Sequence, residues 1–277
     1  PEKYRAIRLG HILAEQEAMI IRQEKNSLEF YTQIDHAAAA AALANHLQPS
    51  HNSRELVAET IRLHDVAWKE VDEKPTVLED GRPRDFLNMA AEVAVLTWTR
   101  SIKEVLENLG ELSALVVSQH FSRLAQGALG SGSRSSNDEA LFETFLNQQG
   151  NLRQRLGPQS AEAVEEMASY LHLFDTITVF MLTSPDSHGD MRMKPIPFSL
   201  NGCGAMPLQL QWCSRRGIQV DPWPFDSASI ALDVPCRVLP AHLYADDADL
   251  QRAFQNAPLE CREYTIANIN CHETAIR

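Results

Sequence analysis

An adjacent His64-Asp65 pair sits inside an otherwise apolar run, Leu63-His64-Asp65-Val66-Ala67-Trp68. Helical spacing puts His64 in phase with Val57 and Ile61. The pair therefore falls on the inward face of a helix that should start near Asn52 or Ser53 and run on to Trp68. A core rarely accepts two neighbouring ionisable groups unless something bound compensates them. Neighbours on one helix point about 100° apart. Both can reach one ion only if the helix lies beside a cavity.

Three further stripes carry a chelating residue on an apolar face. His36 leads Ala40, Leu43, Ala44 and Leu47; His120 lies between Val116 and Leu124; Asp175 lies within Val164, Ala168, Leu171, Thr178 and Leu182. Taken singly, each histidine reads as hydrogen-bonded packing, and Asp35 as the cap of the helix that follows it. Four helices with one inward chelator each point instead to a shared ion. Imidazole and carboxylate donors without thiolates suit one divalent transition metal, Fe, Mn, Zn, Ni or Co. A second metal follows if His120 is itself a ligand.

Segments 18–23 and 28–33, separated by Glu24-Lys25-Asn26-Ser27, read as a β-hairpin. A weak helix or arm is expected over 4–17. Helical patterns follow from Asp35, from about Ser53, and over 87–109, 112–129, 141–156 and 161–182. Val71 to Phe86 reads as a long ordered loop and Gly130 to Asn137 as a surface loop. Past Ser184 prolines accumulate, and alternation appears at 208–212 and 230–238 with one short helix near 247–256. The expectation is a mainly α fold in one compact domain over 1–277. Its helical core with an N-terminal β-hairpin (18–183) would carry a β-rich C-terminal segment (184–277) packed on it.

The net charge of −12 argues against a nucleic-acid polymer as partner, though a bound cation could still attract a small phosphorylated substrate. No apolar run approaches the roughly 18 residues of a membrane span, so no membrane partner is expected. Pro1-Glu2-Lys3-Tyr4-Arg5 is charged and lacks a signal core, which makes a cytoplasmic location the default. Cys203, Cys213, Cys236, Cys261 and Cys271 show no CxxC spacing and read as buried free thiols. His46, His51, His188, His242 and His272 read as surface or loop residues.

The order His36, His64-Asp65, Asp175 resembles the HD-domain superfamily of metal-dependent phosphohydrolases. There a His, a His-Asp pair and a distant Asp on successive helices bind one metal, which assigns His36, His64, Asp65 and Asp175 as ligands. A narrower likeness, over roughly residues 18 to 266, is to a bacterial branch of proteins of unknown function. It is carried by Gln33-Ile34-Asp35-His36-Ala37, His64-Asp65 with Trp68, the loop Pro75 to Phe86, Ser118-Gln119-His120-Phe121 and Pro222-Trp223-Pro224-Phe225. The resemblance implies an HD-like helical core and hydrolysis of a small phosphoester or nucleotide by metal-activated water. A mononuclear site is the first expectation, with Asp65 and His120 as catalytic groups, His120 binding substrate or shuttling protons. Binuclear relatives need two more histidines between the pair and the last Asp; His120 is a plausible one, while His172, one turn from Asp175, fits an outward-facing residue equally well. Arg82, Arg84 and Lys69 are candidate phosphate contacts and Trp68 a candidate ring contact. Each fits equally a solvated charge or, for Trp68, a core aromatic, and Arg123 carries the same ambiguity. Two rivals are a di-iron oxygenase on the same fold and a non-catalytic metal- or ligand-binding protein.

Overall fold

Strands Ile20–Gln23 (β1) and Ser27–Tyr31 (β2) form a tight antiparallel hairpin. Helix Gln33–Ala44 (α1) begins at once. Its cap is Thr32, whose Oγ1 accepts from the Asp35 N–H at 3.0 Å, so Asp35 is a first-turn residue and not the cap. Helix Arg54–Leu63 (α2) follows, then Lys69–Asp72 (α3), a short helix whose last two residues enter the stretch expected as loop. Ala91–Leu109 (α4), Glu111–Gly130 (α5), Ser136–Leu156 (α6) and Ala161–Leu182 (α7) complete the helical layer. The computed structural model describes residues 19–47, 54–130, 135–156, 161–183, 197–199, 205–207 and 209–268. The expected arm over 4–17, the helix start at Asn52 or Ser53, the loop residues 131–134, Cys203, Cys271, His51, His188 and His272 lie outside these.

The C-terminal part contributes the small pair Pro197–Ser199 (β3) and Ala205–Pro207 (β4). It then adds Gln209–Ser214 (β5), Gly217–Asp221 (β6), Ser229–Pro240 (β7), helix Asp247–Asn256 (α8) and Leu259–Asn268 (β8). These strands and the N-terminal hairpin form one six-stranded sheet in the order β1-β2-β7-β8-β6-β5. It is mixed, because β6 and β8 run parallel while the other neighbours are antiparallel. The expectation of a mainly α fold is therefore corrected: the sheet is a full layer of an α and β architecture. The hairpin is no separate cover, since Leu28 pairs with Leu239 and Phe30 with Arg237, partners more than 200 residues away in the chain.

The helices cover one face of that sheet, and α8 covers the β2/β7 end of the other, where Ala231 and Asp233 stay exposed. Ile230, Leu232, Val234 and Cys236 alternate along β7 toward the helices and share one apolar cluster with α1, α4, α5 and α7. On the other face Leu28, Phe30 and Leu239 pack against Leu250 and Phe254 of α8. Between the layers runs an ion network. The buried Glu29 carboxylate accepts from Arg216, from Arg262 at 2.8 Å and from the Tyr31 hydroxyl at 2.8 Å. Arg22, 1% exposed, donates to the Thr183 and Met181 carbonyls and so closes the C-terminus of α7 with a positive charge. The hairpin thereby holds the helix that carries Asp175. Cys236 is buried, but Cys213 and Cys261 are exposed. Among the described residues no helix is long and apolar enough to cross a membrane.

Candidate metal centre

Helix α2 stops at Leu63, one residue before the His-Asp pair. His64 and Asp65 occupy the turn between α2 and a 3-10 turn at Val66–Trp68, with Asp65 at φ −103°, ψ 17°. Leaving helical geometry here removes the 100° divergence expected of neighbours on one helix. Both side chains now face the same point, with His64 Nε2 3.1 Å from Asp65 Oδ2. Two backbone donors fix the turn: the Trp68 N–H bonds the Asp65 carbonyl at 2.9 Å and the Ala67 N–H bonds Ser101 Oγ of α4 at 3.2 Å.

Asp175, from the middle of α7, meets the pair. Its Oδ1 lies 3.0 Å from His36 Nε2 and 3.5 Å from His64 Nε2, and its Oδ2 lies 4.0 Å from His120 Nε2. Ligand atoms of His36, His64, Asp65 and Asp175 all fall within 4.8 Å of one another. His120, His172 and the same Asp175 form a second such group. The His and Asp side chains thus make two clusters that could hold a metal ion, sharing one carboxylate. The first contains the four residues expected as ligands. The second brings in His172 beside His120, so the expected mononuclear arrangement omits a group that the fold supplies.

Proton positions follow from the partners. The nearest acceptor for the Thr178 hydroxyl is the Phe174 carbonyl at 2.8 Å. The same oxygen lies 3.1 Å from His36 Nδ1 and holds the ring from behind. His64 Nδ1 faces the Ile61 carbonyl at 2.6 Å, and a carbonyl can only accept. Both rings are hydrogen-bonded at Nδ1 and aim Nε2 at carboxylate oxygens, the orientation that an imidazole ligand takes when its other nitrogen is held by a partner. An Nε2 facing a carboxylate at these distances needs a proton or a cation between the two. Burial opposes a proton on His64, yet the carboxylates of Asp65 and Asp175 carry its pKa up to about 10. Burial would also raise Asp175, but His120, His36 and His64 hold its carboxyl well below the usual range. His120 is fully buried with neither ring nitrogen bonded, and burial lowers its pKa to about 3. Burial lowers His172 as well, and its Nδ1 has no partner.

Three sequence features support these ligands from behind. The Asp72 carboxylate accepts from the Gln33 N–H at 2.6 Å at the start of α1, the helix of His36. Ser118 Oγ donates to Gln149 Oε1 at 2.9 Å and ties the His120 helix to α6. Phe225, from Pro222-Trp223-Pro224-Phe225, packs on Phe174 with ring centroids 5.9 Å apart, just behind Asp175.

Above the floor opens a cavity of about 430 Å³. Trp68 lines it, 2% exposed and part of the core as well. Arg82, Arg84 and Lys69 are not among its lining residues. Arg82 is paired with Asp80 at 2.7 Å at the exposed tip of its loop, Arg84 donates to the Asn88 carbonyl, and Lys69 points to solvent. The loop does reach the cavity, but with Phe86, Leu87 and Met89. Arg123 is paired with Glu165. His46 is half-buried beside Asp226 and His242 is exposed. The wall residues Trp98 and Phe142 escaped the sequence reading, and Phe121 entered it only as the end of its motif, because an aromatic at a buried helical phase looks the same whether it fills a core or faces a cavity.

A family profile matches residues 19–241, spanning hairpin, helices, both clusters and β7. The chain belongs to DUF3891, a family of proteins of unknown function. The DUF3891 match thus stops short of α8 and of β8, the strand between β7 and β6. No curated protein and no solved structure matches the chain.

Proposed function

We propose that this protein is a metal-dependent hydrolase of small-molecule esters, phosphoesters included, of the HD-domain kind. His36, His64, Asp65 and Asp175 hold one divalent transition metal, Fe, Mn, Zn, Ni or Co, and His120 and His172 complete a second site on Asp175. One observation carries this reading: two buried imidazoles, each hydrogen-bonded at Nδ1, turn their Nε2 atoms onto one carboxylate. A bound divalent ion lowers the pKa of its water and polarises the ester or phosphoryl oxygen. Asp65 and Asp175 supply the negative charge that offsets the ion. His120 stays neutral at pH 7, which suits a ligand, and a pKa near 3 makes it a poor proton carrier there.

The second cluster favours one alternative, oxidation of the substrate at a di-iron centre. Elemental analysis of protein purified without added chelator gives the metal and its count. Parallel assays then follow hydrolysis of phosphoester and carboxylic ester panels and oxygen uptake. Hydrolysis without oxygen supports the proposal, and substrate-dependent oxygen uptake without hydrolysis replaces it by the oxidative reading. Metal-loaded protein inactive in both assays is a binding protein.

A further inference from the structure

The cavity is walled by rings and aliphatic groups. Trp98 stacks on Phe121 with centroids 5.2 Å and planes 12° apart, Phe142 packs on Trp98 with centroids 6.0 Å apart, and Phe86 and Leu87 stand at the mouth. Leu87 is 57% exposed, which marks where solvent meets the cavity. No lysine or arginine lines it among the described residues. The cations around it are engaged elsewhere: Arg123 with Glu165 and the Ala168 carbonyl, Arg22 with the end of α7. All titratable groups on the lining, His64, Asp65, His120, His172 and Asp175, belong to the floor. Beyond the floor the polar side chains on the lining are Gln33, Thr176 and Thr183, and both threonine hydroxyls donate to carbonyls of their own helix or its end. A nucleotide would place charge and hydrogen-bonding edges against mainly apolar walls, and unpaired burial of that kind is strongly disfavoured. An apolar group loses nothing there and gains by leaving water.

We infer that the substrate is a neutral carboxylic ester with an extended apolar body, its polar end on the His/Asp floor and its body among the aromatic walls. The inference rests on the hydrolase reading of the floor and narrows it away from nucleotides. In the reaction the water oxygen bonds the acyl carbon, the ester C–O bond breaks, and a water proton passes to the leaving oxygen. The acid product then dissociates.

Hydroxamic acids test the walls, because the metal-binding head is constant while the body varies. Tryptophan fluorescence of the full-length, metal-loaded protein is titrated with acetohydroxamic acid, octanohydroxamic acid and AMP. Octanohydroxamate should bind about 10²-fold tighter than acetohydroxamate, less than full burial of six added methylenes allows. AMP should bind no tighter than inorganic phosphate. Leu87→Glu, at the exposed mouth, should weaken octanohydroxamate about tenfold with metal content unchanged. Equal affinity for the two hydroxamates, or AMP binding tighter than octanohydroxamate, overturns the inference. Octan-1-ol and chelator-treated protein separate the two readings. Octan-1-ol binding to chelator-treated protein that takes up no metal when it is added back leaves the apolar cavity standing and removes the hydrolase. Retained metal with no gain from chain length does the reverse.

Discussion

Asp175→Asn is close to isosteric and removes one charge from the point where both clusters meet. In the metal-free protein the effect follows from His64. Its pKa, raised from 6.5 to about 10, corresponds to about 4 kcal/mol of stability at pH 7. Asp65 at 3.1 Å and Asp175 at 3.5 Å share it. Burial works against both carboxylates, so their attractions together exceed this net figure, and Asp175, the farther of the two, contributes at least roughly 1.5–2 kcal/mol. Because this pKa is raised, the contribution is complete below about pH 6.5 and is lost as pH passes about 10. Metal-free Asp175→Asn should therefore show a lower urea midpoint at neutral pH and converge on wild type in strong alkali. With metal present the loss is larger. The substitution removes an anionic ligand from both clusters, and even an outer partner of a ligand is worth about 10–100-fold in affinity. Dialysed Asp175→Asn should retain little metal by elemental analysis. A variant with wild-type metal content, and a wild-type midpoint when stripped, would refute the assignment of Asp175 as the shared group.

Four further outcomes follow from the same geometry. His120→Ala should cost one metal equivalent and Asp65→Ala the ion of the first cluster; full metal content in His120→Ala would return the centre to a single ion. Metal uptake at pH 7 should release about one proton, since His64 is protonated in the metal-free protein and must be neutral to bind. Identical calorimetric heats in buffers of different ionisation enthalpy would contradict this. Burial opposes ionised Glu29, but Arg216, Arg262 and Tyr31 hold its pKa below 4.5, so its stabilisation is present above that value and lost as pH falls. Glu29→Gln should flatten the acid side of the stability curve between about pH 6 and pH 3, and an unchanged slope would show that the network acts otherwise. Truncation at Ser184 strips β2 of its partner β7 and opens the shared apolar cluster, so fragment 1–184 should aggregate or lack a cooperative transition; soluble, cooperative unfolding would contradict the single-core arrangement.

Much of this molecule is written in local periodicity. The apolar stripes of α4, α5 and α7, the alternation in β7 and the short helix at 247–256 are all legible, because a helix or strand face is set by spacings of two to four residues. The four candidate ligands were legible on the same ground, as polar residues standing in apolar stripes. Tertiary structure decided the remainder. Nothing near Leu63 breaks a helix, and the turn that aligns His64 with Asp65 is held by Ser101 from α4. The sheet was hidden because β2 finds β7 some 200 residues later, and because β8 carries Glu260, Arg262 and Glu263, which obscure its alternation. The arginines expected to grip phosphate face solvent or their own loop, and side chains that read as plain core wall the cavity instead. Spacing along one chain tells which face a residue occupies. Whether that face meets another side chain, an ion or an open cavity depends on elements distant in sequence, and only their packing determines it.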